Sequence, residues 1–118
     1  MISDRAGEYL VNLSKETIKY YLDNGKIMVK PTDYPIELDE PLGVFVTLNK
    51  NNNLRGCIGY AEPIMPAIEA TIDVAIAAAV NDPRFPQVTL DELKELDLEV
   101  TVLTKPEMII VAHPDQYF

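Results

Sequence analysis

The fold is decided by the stretch Leu42-Gly43-Val44-Phe45-Val46-Thr47-Leu48, the turn Asn49-Lys50-Asn51-Asn52-Asn53 and the return Leu54-Arg55-Gly56-Cys57-Ile58-Gly59-Tyr60. β-Branched and aromatic residues favour strands. Asparagine tolerates the positive φ angles that tight turns require. This stretch is therefore predicted to form a β-hairpin.

The simplest register of the hairpin closes it directly around the asparagine-rich turn. It pairs Leu48 with Leu54, Val46 with Gly56 and Val44 with Ile58. Side chains alternate between the two faces of a strand. The face assigned to the core carries Val44, Val46, Leu48, Leu54, Ile58 and Tyr60. The opposite face carries Phe45, Thr47, Arg55 and Cys57.

Helical spacing of apolar residues predicts two longer helices, at 3–23 and 65–80. In the first, Ser3 is a suitable N-cap, and Gly25 can adopt the left-handed conformation that ends a helix. The second begins close to Pro66, since proline is tolerated in a first turn. Its second half is apolar nearly all round, so we expect it to be buried on more than one side.

The remaining segments contribute a loop, a short helix and further strands. Segment 31–41 contains three prolines and is predicted to be an extended, solvated surface loop. Thr89-Leu90-Asp91-Glu92 fits a capping box, in which Glu92 bonds back to the start of the helix. Alternation over 96–103 predicts a strand with one wet face, and 108–111 is consistent with one more. This order predicts a single α+β domain over 1–118, a two-layer sandwich with a mostly antiparallel sheet.

Composition and charge argue against several classes of function. The chain has 10 basic and 19 acidic residues, a net charge of −9, which argues against nucleic-acid and anionic-membrane partners. No apolar stretch is long enough to cross a bilayer and no secretory signal is visible, so we expect a cytoplasmic protein. Cys57 is the one cysteine and His113 the one histidine, which excludes a disulfide within the chain and a metal centre built from several thiols or imidazoles. We expect no metal and no cofactor, and we expect His113 to be an ordinary surface histidine.

Chemistry-bearing residues cluster on the returning strand of the hairpin. Arg55 and Cys57 are two residues apart, so their Cα atoms should lie about 6.6 Å apart with both side chains on one face. A guanidinium can stabilise a nearby thiolate. Gly56 and Gly59 weaken a strand, and the usual reason is a bulge or the close approach of another backbone or a ligand. These residues form a candidate site for a small anionic or polar ligand, with Cys57 as nucleophile, redox thiol or contact.

Structural explanations compete with each part of this candidate site. A lone cysteine is more often a small buried apolar group than a nucleophile. Arg84 would join Arg55 in an anion pocket, pair with Asp82, or lie at the end of the helix at 65–80, where a cation is favourable. Residue types alone leave these alternatives open.

Two short motifs resemble those of a known family. Leu54-Arg55-Gly56-Cys57-Ile58-Gly59 is similar to the six-residue signature of the AMMECR-type domain family, and Asp82-Pro83-Arg84-Phe85-Pro86 is similar to a second family segment. The resemblance covers nearly the whole chain and is greatest for prokaryotic, especially archaeal, members. It implies an α+β fold with two subdomains and a site near the cleft between them. Together with Phe45, which shares the strand face of Cys57, the motifs give the candidate ligand-binding residues Arg55, Gly56, Cys57, Gly59, Phe45, Asp82 and Arg84.

The resemblance also implies partners and a missing segment. Prokaryotic members often occur beside a Memo-like protein and a radical-SAM enzyme, and no catalytic activity is established for the family. Family domains are considerably longer, so this chain is expected to lack the C-terminal part of the domain. We therefore expect an exposed apolar edge or patch that another copy of the chain covers, because unpaired sheet edges invite pairing.

Two functions follow from the sequence. The first is a small-ligand or partner-binding domain with its site around residues 55–59. The alternative is a small enzyme or enzyme component in which Cys57 is a reactive thiol tuned by Arg55, working with the Memo-like and radical-SAM proteins. The sequence leaves open whether the protein is an enzyme.

Overall fold

Two long helices and a four-stranded sheet make up the fold. The computed structural model describes the backbone of residues 2–105 and 108–112 and the side chains of residues 2–103. Its elements are α1 (Asp4–Asn24), a 3-10 turn (Ile36–Asp39), β1 (Gly43–Lys50), β2 (Asn53–Tyr60), α2 (Ala67–Val80), α3 (Leu90–Leu93), β3 (Leu96–Lys105) and β4 (Met108–Ala112). The predicted helices and strands are all present, with ends that differ by one or two residues. No helix within the described ranges is both long and apolar enough to span a membrane.

The sheet has the strand order β2-β1-β3-β4, and every neighbouring pair is antiparallel. One face of its two central strands is buried, through the side chains of Val44, Val46, Leu48, Leu98, Val100 and Val102. Helices α1 and α2 pack against each other and against the sheet. The opposite face of β1 and β2 carries half-buried side chains such as Thr47 and Cys57. This arrangement confirms the predicted α+β class, with an antiparallel sheet on one side and helices on the other.

The register of the β1–β2 hairpin differs from the predicted register by two residues. Val46 lies opposite Ile58 rather than Gly56, and Val44 lies opposite Tyr60. A slip of two residues returns each side chain to the same face, whereas a slip of one would reverse both faces. The prediction of which residues share a face therefore holds for β1 and for Gly56–Tyr60 of β2, despite the error in pairing.

A β-bulge at Arg55 explains why the predicted core position of Leu54 is wrong. Leu48 pairs with Gly56 and Asn49 pairs with Leu54, so Arg55 has no partner on β1. An extra residue interrupts the alternation of a strand and bends it locally. Leu54 consequently lies outside the core, with 42% of its surface exposed.

Helix α1 begins and ends as its sequence predicts. The Ser3 hydroxyl accepts a hydrogen bond from the Ala6 N–H at 3.1 Å. Gly25 has a φ of +70° and donates its N–H to the Tyr21 carbonyl. A side-chain cap at the start and a left-handed glycine at the end satisfy groups that have no partner inside the helix.

Helix α2 lies unusually close to strand β2, and Gly56 makes this approach possible. Most residues of α2 are buried, as its apolar composition predicts. A Cβ atom added at Gly56 would overlap the carbonyl oxygen of Ala78 in α2. The absent side chain therefore allows helix backbone to pack directly on strand backbone.

The expectation that segment 31–41 is a solvated loop is partly wrong. The segment forms the 3-10 turn, within which Leu38 is completely buried. The Glu37 carboxylate accepts a hydrogen bond from the Ser3 N–H at 3.2 Å, and the Glu40 carbonyl accepts one from the Ala67 N–H at 2.9 Å. Burial of one apolar side chain thus draws this segment onto the starts of α1 and α2.

We expect Gly56→Ala to lower the free energy of unfolding by about 1–3 kcal/mol, because the added methyl group forces α2 away from β2. Urea denaturation followed by circular dichroism measures the change. Leu54→Ala is the matched control on the same strand, since its side chain lies outside the core and its loss should change stability much less. Equal stability of Gly56→Ala and the wild type would contradict this account of the α2 packing.

Candidate functional site

Cys57 lies near the middle of β2, which is an edge strand of the sheet. It pairs with Thr47 across the hairpin, and the Cys57 Sγ lies 3.1 Å from the Thr47 Oγ1. The Cys57 residue is half-buried rather than enclosed in the core. Its thiol therefore has a hydroxyl neighbour and remains partly accessible on the sheet face opposite the long helices.

Asp82 and Arg84 hold the backbone of Cys57 from the outer side of β2, and we call this pair the Asp82–Arg84 clamp. The Cys57 N–H donates to the Asp82 Oδ2 at 3.0 Å, and the Arg84 Nη2 donates to the Cys57 carbonyl at 3.3 Å. Arg84 also donates from Nε to Oδ1 and from Nη2 to Oδ2 of Asp82, at 3.0 and 2.8 Å. The two motifs at 54–59 and 82–86 are thus joined by hydrogen bonds in one site.

The loop after α2 positions the clamp. Helix α2 ends where the Asn81 N–H donates to the Ala77 carbonyl, and the Phe85 N–H then donates to the Asp82 carbonyl in a tight turn. The Asp82 Oδ1 also accepts the Arg84 N–H at 3.0 Å, a local side-chain bond typical of aspartate in turns. The same carboxylate therefore shapes its own turn and reaches strand β2.

The clamp combines a buried carboxylate with an exposed guanidinium. The Asp82 side chain is 2% exposed, whereas the Arg84 side chain is 55% exposed. The side-chain hydrogen bonds from Arg84, together with the backbone N–H groups of Cys57 and Arg84, hold the pKa of Asp82 far below its usual value despite burial. The hydrogen bond to Asp82 raises the pKa of Arg84. Arg84 is therefore a protonated cation that is hydrogen-bonded to the Cys57 carbonyl.

Arg55 takes a different position from the one predicted beside Cys57. It lies at the bulge, and its Nε and Nη2 donate to the two carboxylate oxygens of Glu92 in α3 at 2.7 and 3.0 Å. Lys50 donates to the same carboxylate at 3.2 Å. Hydrogen bonding by Arg55, followed by that of Lys50, lowers the pKa of Glu92. The guanidinium of Arg55 is thus bonded to α3, whereas that of Arg84 is bonded to Asp82.

The capping box predicted at the start of α3 is half correct. The Thr89 hydroxyl accepts the Glu92 N–H at 3.2 Å, as predicted. The Glu92 carboxylate, however, bonds Arg55 and Lys50 instead of returning to the start of its helix. A bidentate bond to a guanidinium is stronger than a bond to a neutral backbone N–H, which accounts for the difference.

The space at the two signature glycines is filled by the chain itself. Gly56 faces α2, and a Cβ atom on Gly59 would overlap the ring of Phe45, its partner across the hairpin. Of the two reasons that the sequence offers for these glycines, a bulge and the close approach of other parts of the chain are both present. The structure places Phe45 as the cover of Gly59, and its role in ligand binding stays a prediction.

Sequence reasoning missed Thr47 and Glu92 as neighbours of this site. Thr47 would follow from the correct hairpin register, since it lies directly opposite Cys57. Glu92 carries no such signal, because only the packing of α3 brings it to Arg55. His113 lies outside the described residues. The part of the chain that is described holds no group of three metal-ligating side chains.

Comparison with known proteins gives both a sequence and a structural match. The family model described as AMMECR1 matches residues 11–116. Protein PH0010 of Pyrococcus horikoshii is 53% identical over 113 residues, which cover 92% of this chain and 55% of that protein. A protein of Methanothermobacter thermautotrophicus is 47% identical over 116 residues, which cover 98% of this chain and 60% of that protein. The crystal structure of the uncharacterised PH0010 matches with a TM-score of 0.83 and 52% identity, covering 86% of this chain and 52% of that chain.

The matches cover a larger share of this chain than of its relatives. The chain is matched over nearly its whole length, yet it spans a little over half the length of these relatives. The solved structure shows the same disparity, with 52% of its chain covered. The fold of the shared part is therefore held in common, while the relatives contain a further part that this sequence does not include.

The lowered pKa values of Asp82 and Glu92 predict a loss of stability in acid. A carboxylate whose pKa is lower in the folded than in the unfolded protein stabilises the fold above its unfolded value, here 3.8 and 4.5, and this stabilisation is lost as the pH falls below it. We expect the free energy of unfolding to fall from about pH 5 downward, and Asp82→Asn to make that fall shallower. Urea denaturation from neutral pH to about pH 3 measures both profiles, with the exposed Asp91→Asn as control. Parallel profiles for Asp82→Asn and the wild type would contradict the assigned role of this carboxylate.

Proposed function

Since the chain belongs to the AMMECR1 family, whose matched relatives have names that state no activity, we propose that it is a binding domain with its site around residues 55–59. The ligand is a small molecule, or a partner's polar segment, that presents a carboxylate or phosphate group to Arg84. Cys57 and Thr47 form the adjacent floor of this site. Because the chain spans about half of its relatives, the proposal concerns this part alone.

The proposal depends on the exposed end of the Arg84 guanidinium. Its Nε and Nη2 are occupied by Asp82 and by the Cys57 carbonyl, whereas Nη1 has no hydrogen-bond partner among the described residues. The Phe85 ring lies 5.4 Å from the guanidinium carbon and supports its plane. A guanidinium fixed in this way still has both N–H groups of Nη1 free, and each can donate a charge-assisted hydrogen bond to an oxyanion.

The region around Cys57 is less acidic than the rest of the chain. Lys50, Arg55 and Arg84 meet the two carboxylates of Asp82 and Glu92 in this region. When Glu99, which lies opposite Thr47 on β3, is included, positive and negative charges here are equal in number, whereas the chain as a whole has a net charge of −9. Because Asp82 neutralises much of the Arg84 charge, we expect weak binding of a simple anion, with a Kd of about 1 mM.

The surroundings of the Cys57 thiol favour binding over catalysis. Its nearest polar side-chain neighbour is the Thr47 hydroxyl at 3.1 Å, and a neutral hydroxyl does not act as the base that a thiol nucleophile needs. Histidine, the commonest such base, is absent from residues 2–105 and 108–112. The geometry therefore supports Cys57 as a contact residue first.

An NMR titration with inorganic phosphate, and separately with acetate, tests the binding site. At constant ionic strength we expect saturable shifts of the Cys57 and Arg84 amide signals, and Arg84→Gln should remove the saturation. Lys94→Gln is the matched control, since it also removes one exposed positive charge. Linear, unsaturable shifts in the wild type, or identical titrations of Arg84→Gln and the wild type, would overturn the proposal.

The enzymatic alternative is favoured by one observation, the partial accessibility of a thiol close to the Arg84 charge. It predicts rapid alkylation of Cys57 by iodoacetamide well below the pH at which ordinary thiols react, with a midpoint under about 8.5. The rate measured from pH 5 to about pH 10 in the native protein, with free cysteine as control, tests it. A midpoint at or above the free-cysteine value excludes this alternative.

Association with Memo-like and radical-SAM proteins stays a prediction from the family resemblance, as does self-association through a sheet edge. We propose that any such self-association uses β4, because the Asp82–Arg84 clamp already covers the middle of β2. Light scattering over a range of protein concentrations measures it, and a monomer at every concentration would exclude it.

A further inference from the structure

A groove on the helical side of the molecule is unrelated to the Cys57 site. It lies between the N-terminal half of α2 and the chain after α1, and its volume is about 300 Å³. Its apolar surface comes from Ile27, Met28, Met65 and Ile72. This volume is at the low end of the range for binding pockets, about 300–1,000 Å³, so it suits the anchoring side chains of a partner rather than a large ligand.

One exposed isoleucine lines the groove, and a second lies next to a groove residue in the sequence. Ile27 is 61% exposed, and Ile64, which precedes the groove residue Met65, is 63% exposed. Flexible methionine side chains adapt to the shape of an incoming apolar group. The concave surface is small, so it would accept one or two apolar side chains of a partner.

The charged residues of the groove indicate the charge of a partner that would bind there. Glu69 and Asp73 are one turn apart on α2, and both line the groove. Lys30 lies 3.7 Å from Glu69 and partly neutralises it. Asp73 has no ion-pair or hydrogen-bond partner among the described side chains, so its negative charge is available to a partner.

We propose that this groove docks an amphipathic segment of a partner protein, with apolar side chains seated on Met28, Met65 and Ile72 and a lysine or arginine paired with Asp73. A helix is the simplest form of such a segment, because it presents apolar and basic residues on adjacent positions of one face. The proposal is independent of the site at Cys57.

The surroundings of Asp73 disfavour its charged form, and a cation from a partner would counter this effect. Burial and the neighbouring Glu69 both raise the pKa of Asp73. A paired lysine or arginine would offset both effects, since an opposite charge favours the ionised carboxylate.

A second copy of the chain fits the groove less well than a basic partner. Each copy has a net charge of −9, and a symmetric contact at this groove would bring like carboxylates together. Repulsion between them opposes the contact. A basic segment, by contrast, gains attraction from the charge of the whole chain as well as from Asp73.

Fluorescence anisotropy with a labelled amphipathic peptide of leucine and lysine tests this proposal at physiological salt. We expect the wild type to bind it, and Asp73→Lys to weaken binding roughly 10-fold or more, the loss of about 1.4 kcal/mol. Glu16→Lys on the exposed face of α1 is the matched control, because it makes the same change in net charge away from the groove. It should weaken binding by no more than about 2-fold. A second peptide with glutamate in place of lysine should not bind.

Three outcomes would overturn the proposal. Equal weakening by Asp73→Lys and Glu16→Lys would show that the peptide responds to net charge alone. Equal binding of the lysine and glutamate peptides would remove the role of the cation. A wild-type dimer that Asp73→Lys dissociates, seen by light scattering, would identify a second copy as the occupant. Arg84→Gln should leave peptide binding unchanged, which separates this test from the one for the Cys57 site.

Discussion

The contact between Gly56 and Ala78 is the constraint on which the site depends. Because Gly56 has no side chain, the C-terminal part of α2 lies directly against β2. The chain leaves α2 at Val80, and two residues later Asp82 is already within hydrogen-bond distance of the Cys57 N–H. A larger residue at position 56 would move the end of α2 outward and withdraw Asp82 and Arg84 with it. One glycine therefore serves both the packing of the core and the geometry at Cys57.

Local signals in the sequence predicted the elements of this fold well. The caps at Ser3, Gly25 and Thr89 and the period-two alternation of β3 depend on neighbours within a few residues, and all are present. The hairpin register was wrong by two residues: one comes from the shorter turn, in which Lys50 pairs with Asn53, and one from the bulge at Arg55. The burial of Leu38 was missed because its segment is held by contacts of Glu37 and Glu40 with the distant starts of α1 and α2.

The sequence predicted which residues belong to the candidate site better than it predicted their contacts. The sequence placed Cys57 and Thr47 on one face and offered Asp82 as a partner of Arg84, and the structure shows that pair. It also paired Arg55 with Cys57, whereas Arg55 bonds Glu92. The spacing of residues along a strand predicts which face a side chain occupies only while the alternation is unbroken, and the bulge at Arg55 breaks it. Tertiary packing, which the sequence does not reveal, decides which carboxylate a guanidinium binds. For Arg84, the resemblance of segment 82–86 to a family motif was the useful signal.

The hydrogen bonds of the Asp82–Arg84 clamp reproduce the pattern that a further strand would make with β2. The carboxylate takes the place of a strand's carbonyl and the guanidinium takes the place of its N–H, both at Cys57. Side chains thus terminate the sheet at its middle on this side, where a bare edge would be a template for amyloid-like growth. These charged side chains occupy the outward backbone groups of Cys57 while its thiol, on the sheet face, stays partly accessible.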